Sequence, residues 1–90
     1  MKVNITSPGM YLRIILSTKN ITLEQLSKKT QISRTELSEY KNDHKIPSMK
    51  RCYIIANALN IEPMIYHEMC QKTKMKKYIE KMKKTNSIPS

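Results

Sequence analysis

The sequence predicts an all-α protein, a five-helix domain followed by a basic helical extension. Three observations carry that expectation. The 90 residues include one Gly and four Pro, too few turn residues for a protein of many short strands. Apolar residues recur at three- and four-residue spacings instead of alternating. Helix-start signals also follow one another closely along the chain. A chain of this length holds one compact domain and a short appendage, so the expected division is a domain over 1–70 and a Lys-rich extension with a frayed tail over 71–90.

The elements follow in order. Ser7-Pro8 is a cap followed by Pro at the first helical position, and Leu12, Ile15 and Leu16 form a stripe ending near Lys19, which gives helix 1. Thr22 and Gln25 make a Thr-x-x-Gln capping box with Ile21 and Leu26 as its hydrophobic staple, so helix 2 starts at Leu23. Eleven residues on, Ser33 and Glu36 repeat the box and Ile32 and Leu37 the staple, and helix 3 starts at Arg34. Two starts so close leave helix 2 only about two turns and a tight connection through Thr30 to Ile32, which is helix-turn-helix geometry.

The polar segment Asn42 to Pro47 ends helix 3 near Asn42. Ser48 caps helix 4, whose Cys52, Ile55, Ala56 and Leu59 follow the i, i+3, i+4, i+7 rule; Asn60 suits a left-handed C-terminal position and Ile61 points inward. Pro63 opens helix 5, apolar at Met64, Ile65 and Met69. Its stripe fails at Gln71 and Lys72 and resumes as Met75, Tyr78, Ile79 and Met82, which predicts a kink or a sixth short helix. Thr85 to Ser90 is expected to fray.

The formal net charge is +10 and is unevenly placed: ten Lys/Arg against six Asp/Glu over 1–70, then seven against one over 71–90. Such a balance attracts nucleic acid, an anionic membrane surface or an acidic protein, and charge alone does not choose among them. The apolar run Met10 to Leu16 is seven residues long and contains Arg13, so it is neither a signal core nor a span; no membrane association and a cytoplasmic location are expected. Lys, Ile and Asn supply 32 residues, a bias that AT-rich coding DNA produces and that points to a low-GC bacterium or its phages.

Cys52 and Cys70 stand far apart in the sequence, in helical patterns, with no second pair to complete a zinc ligand set; both are expected as reduced thiols. His44 and His67 lack neighbours at metal spacing, no Ser/His/Asp or Cys/His set emerges, and one Gly excludes a Gly-rich phosphate loop. No enzyme activity, metal or cofactor is expected.

Helix 3, over residues 33 to 42, has the two faces that a recognition helix needs. Leu37 and Tyr40 face the core, turning Arg34, Thr35, Ser38, Glu39 and Asn42 outward. Arg34 can donate two hydrogen bonds to guanine, Thr35 and Ser38 can meet base edges or a thymine methyl, and Glu39 can accept from cytosine or simply face solvent. Glu36 belongs to the capping box. Around the helix, Thr22, Lys41, Asn42, Lys45, Ser48, Lys50 and Arg51 are candidates for phosphate, the caps because helix N-termini bind anions; the plain alternative is a set of ordinary caps and solvated charges.

Ile21-Thr22-Leu23-Glu24-Gln25-Leu26-Ser27, then Ile32-Ser33-Arg34-Thr35-Glu36-Leu37-Ser38, then Ile46-Pro47-Ser48 resembles the lambda-repressor and Cro-type (XRE) family over roughly residues 10–68. The resemblance implies a five-helix, lambda-repressor-like domain that binds operator DNA, usually as a dimer. It implies base contact at Ser33, Arg34, Thr35 and Glu39, and phosphate contact at Thr22, Asn42 and the start of helix 4. Five positions depart from the family pattern. Leu23 stands where a phosphate-contacting Gln is frequent, Gln31 where Gly is usual, and Ser27 where Ala is usual; Leu16 and Lys41 replace a common Arg–Glu pair. A left-handed Gln31 is mildly strained.

The stripe of Met75, Tyr78, Ile79 and Met82 has three readings: completion of the core, a dimer contact, or an amphipathic surface for an anionic membrane. The expected function is a sequence-specific transcriptional regulator, a repressor from a phage or other mobile element, with double-stranded DNA and a second copy of the chain as partners. Two rivals stand beside it: an antitoxin-type autorepressor with a protein partner on its extension, and a helix-turn-helix protein that inhibits an enzyme by occupying a nucleic-acid channel. The acidic Glu36 and Glu39 on the presumed reading face are what keep the last in play.

Overall fold

The computed structural model describes residues 7–85, with side chains through residue 82. Among these residues the chain forms five helices: α1 (Pro8–Lys19), α2 (Leu23–Thr30), α3 (Arg34–Lys41), α4 (Met49–Leu59) and α5 (Pro63–Thr85). The frayed tail expected from Thr85 falls, after Thr85 itself, outside the described residues.

Local signals set the boundaries. Ser7, Thr22, Ser33 and Ser48 each cap the helix that follows by accepting a backbone N–H three residues on, which satisfies a donor with no partner inside the helix. Asn20 and Asn60 end α1 and α4 in the left-handed conformation, and in both cases the following Ile returns its N–H to a carbonyl of the last turn at 2.9 Å. Ile21 and Ile61 then pack against the core. Gln31 ends α2 with φ of 63°, the strained position anticipated from the sequence, and its side-chain amide donates to the Lys28 carbonyl at 3.1 Å.

Leu12, Leu16, Leu26, Ile32, Leu37, Tyr40, Ile55 and Leu59 form the core, closed by Cys52 from α4 and by Tyr66 and Cys70 from α5. Helix α1 packs on α3 and α5, and α4 on α2 and α5. The turn between α2 and α3 is tied internally. Ser27 Oγ donates to the Ile32 carbonyl at 2.6 Å, and Thr30 Oγ1 donates to the Leu26 carbonyl while accepting from the Ile32 N–H. Ser27 thus provides a bond that the usual Ala cannot make.

The loop after α3 is pinned to the start of α1. Asp43 adopts φ of 60°, accepts from the Ser7 hydroxyl at 2.6 Å and from the Gly9 N–H at 2.9 Å, and so holds α3 against the first turn of α1. Gly9 is required by this approach: a Cβ there would lie 2.6 Å from the Asp43 carboxyl and 2.6 Å from the Lys41 carbonyl.

Two expectations for helix 5 are corrected. No kink or sixth helix interrupts it, because α5 runs unbroken from Pro63 to Thr85. Its docking face is Tyr66 and Cys70, with Met69 half-buried, while Met64 and Ile65 are 54% and 46% exposed. Met64 and Ile65 lie on the apolar stretch of the sequence, but the helix is rotated so that Tyr66 turns inward, against Tyr11 with ring centroids 6.1 Å apart. No helix among the described residues is long and apolar enough to cross a membrane.

Candidate nucleic-acid interface

The first two turns of α3 divide as a reading helix requires. Leu37 and Tyr40 are buried, Ser33, Arg34 and Thr35 are exposed, and Ser38 and Glu39 are half-buried beside them. The buried pair fixes the rotation of the helix, and that rotation presents the polar residues to solvent. The N-terminal end of α3 therefore projects from the domain with its cap in place.

Each carboxylate on or beside this face has a cationic neighbour. Glu24 of α2 lies 3.7 Å from Arg34, Glu36 lies 3.3 Å from Arg51 Nε, and Glu39 lies 3.4 Å from Lys45. The Arg34–Glu24 and Lys45–Glu39 pairs are largely solvated, so each is worth about 0–1 kcal/mol and yields readily to a stronger anion. Arg51 engages Glu36 through Nε, which leaves its terminal nitrogens for a second acceptor. Glu36 and Glu39 are thus not bare negative charges on this face, which weakens the observation that favoured the enzyme-inhibitor reading.

Glu36 departs from its expected role. Its backbone N–H does reach Ser33 Oγ at 3.1 Å, but its carboxylate turns away from the cap and accepts from the Tyr40 hydroxyl. Of the two expected capping boxes, the one at α2 is complete, with Gln25 Oε1 accepting from the Thr22 N–H at 2.9 Å. Tyr40 one turn below competes for Glu36, and a half-buried carboxylate beside Arg51 takes the hydroxyl and the guanidinium together. Burial, reinforced by the Glu36 carboxylate, holds the Tyr40 phenol well above its ordinary range, so it remains a donor.

The phosphate candidates form two groups around α3. On one side Thr22 and Lys41 line a cleft with Arg13 and Leu23, between the end of α1 and the start of α2. Leu23 brings an apolar wall where the resembled family often brings Gln. On the other side Ser48 and Lys50 are exposed at the start of α4 and Arg51 is half-buried against Glu36. Lys45 and Asn42 lie between, in the loop, where Asn42 Nδ2 donates to Ser38 Oγ at 3.4 Å. The hydroxyls of Thr22 and Ser48 accept their capping bonds and still have a proton to donate.

Sequence reasoning missed Arg13, Glu24 and Asp43. Arg13 sits on the mostly apolar stretch of α1, and only the fold brings it to the cleft with Lys41. Nothing local pairs Glu24 with Arg34. Asp43 had a signal, an acidic residue just past a helix end, which favours left-handed turns.

A family model described as helix-turn-helix matches residues 12–65, which spans α1 to the first residues of α5. No curated protein sequence matches the chain. Among solved structures, the crystal structure of the wild-type restriction-modification controller protein C.Esp1396I aligns with a TM-score of 0.61 and 22% identity, covering 79% of this chain and 92% of that one. At that identity the likeness speaks for the fold.

Proposed function

The chain belongs to the helix-turn-helix family of DNA-binding transcriptional regulators, and on that premise we propose that it represses transcription by binding a specific operator as a homodimer. The observation that carries the proposal is the exposed start of α3, with Ser33, Arg34 and Thr35 projecting from a helix anchored by buried Leu37 and Tyr40. In this reading Ser33, Arg34, Thr35, Ser38 and Glu39 meet base edges in the major groove. Thr22, Lys41, Asn42, Lys45, Ser48, Lys50 and Arg51 hold the phosphates on either side. Residues 1–70 bind DNA and residues 71–90 form the extension. The base composition implied by the abundant Lys, Ile and Asn suits a phage or mobile element of a low-GC host.

The dimer contact is assigned to Met75, Tyr78, Ile79 and Met82, which are 60%, 61%, 44% and 47% exposed. The helical repeat turns this stripe away from the face that docks Tyr66 and Cys70, so it has no role in closing the core. A two-fold dimer places its reading helices in successive major grooves, with half-sites about 34–36 Å apart.

Selection from a randomised duplex pool at one fixed, moderate salt concentration tests the reading. The expected product is a two-fold-symmetric motif, relaxed at one base pair in each half-site by Arg34→Ala at a cost of about 1–3 kcal/mol. Enrichment of no motif, with retention governed by salt alone, would overturn it.

A further inference from the structure

Cys52 and Cys70 are 18 residues apart in the chain, yet their sulfurs lie 3.4 Å apart, one on the first turns of α4 and the other on the last docked turn of α5. Both are free thiols and both are buried. A disulfide needs the two sulfurs only roughly 1.4 Å closer. His67, one turn before Cys70, adjoins Cys52, and the Cys70 S–H foremost and His67 second favour the Cys52 thiolate, lowering that thiol to about 7. The same interaction pushes the Cys70 thiol up, which leaves Cys52 as the group that ionises first.

Access comes from the position of Cys70 in α5. It is the last buried residue of that helix; beyond it every described side chain is exposed except the half-buried Thr73. A helix end with little packing opens at low free-energy cost, and opening of α5 as far as Cys70 frees the Cys70 sulfur and removes the cover that it gives Cys52 at 3.4 Å.

We propose that Cys52 and Cys70 form a reversible intrachain disulfide under hydrogen peroxide, stapling the root of the extension to α4. The Cys52 thiolate attacks a peroxide oxygen and breaks the O–O bond, giving a sulfenic acid and, with one proton, water. The Cys70 sulfur then displaces the sulfenic oxygen as a second water and forms the S–S bond. Two thiols lose two electrons and two protons, and one hydrogen peroxide is reduced. The staple ties the start of α4, where Ser48, Lys50 and Arg51 lie, to the point from which residues 71–85 depart. It goes beyond the operator reading and does not depend on it.

The reduced full-length chain treated with low equivalents of hydrogen peroxide provides the test. Intact mass should fall by two hydrogen atoms on a monomeric chain, dithiothreitol should restore it, and the thermal midpoint should rise by about 10 °C in the oxidised form. The Cys70→Ala chain should show no such mass loss and no such rise. Addition of oxygen atoms as the stable product in the unmodified chain, a disulfide between chains, or no change of mass would each overturn the proposal, and none of these outcomes requires a variant to fold.

Discussion

Residues 63–70 and residues 71–85 lie on one unbroken helix, but they are held in different ways. The first stretch buries Tyr66 beside Tyr11 of α1 and Cys70 beside Cys52 of α4. The second leaves Met75, Tyr78, Ile79 and Met82 exposed in a segment that bears seven Lys and one Glu. Lys, Met and Glu are good helix formers, and a helix nucleated by the docked turns propagates into such a segment at little cost. Packing therefore specifies where α5 begins and how it is oriented, while propensity alone extends it. The body is where the fold is decided; the extension presents an exposed apolar stripe among lysines.

That contrast gives an ordered set of tests. The largest effect on the body is expected at Gly9, where any side chain collides with Asp43 and the Lys41 carbonyl. Gly9→Ala should cost about 2 kcal/mol in urea unfolding, because backbone and a hydrogen-bonded carboxylate must both shift. A cost under about 0.5 kcal/mol would mean that the contact between α1 and the loop after α3 is looser than its distances imply.

Truncation after Lys72 is the complementary test. The unfolding free energy of the body should change by less than about 0.5 kcal/mol, since every residue removed except Thr73 is exposed or lies beyond the described side chains. Operator affinity should fall at least about tenfold, through lost dimerisation and lost positive charge. Sedimentation and titration separate the two causes: a monomer with an unchanged salt slope per chain points to dimerisation, and an intact dimer with a shallower slope points to charge. A large loss of stability would contradict the division between docked and undocked halves.

The comparison also explains what was legible in the sequence. The cap positions at Ser7, Thr22, Ser33 and Ser48 and the left-handed Asn60 could be read because each depends on residues within about one turn. The exposed start of α3 followed from Leu37 and Tyr40 in the same way. What stayed hidden is non-local. Asp43 finds Ser7 and Gly9 across 36 and 34 positions, Arg51 takes Glu36 into a network with Tyr40, and the two cysteines meet only through the packing of α4 on α5. In α5 the hidden feature is the rotation of the helix. Met64 and Ile65 are as apolar as a core residue needs to be, but the packing of α5 on α1 and α4 turns Tyr66 and Cys70 inward instead.

If α3 reads bases while the start of α4 grips the backbone, one substitution in each place should behave differently in a single paired titration. Arg34→Ala and Lys50→Ala are compared on the selected duplex, on duplexes changed at each base pair, and across a range of salt. Arg34→Ala should lose discrimination at one base pair, worth about 1–3 kcal/mol, while Lys50→Ala should weaken all duplexes alike and reduce the salt slope by about one. Equal, sequence-independent losses from both variants would contradict this division of roles, because Arg34 would then be one more phosphate-facing cation and α3 would not be the reading helix.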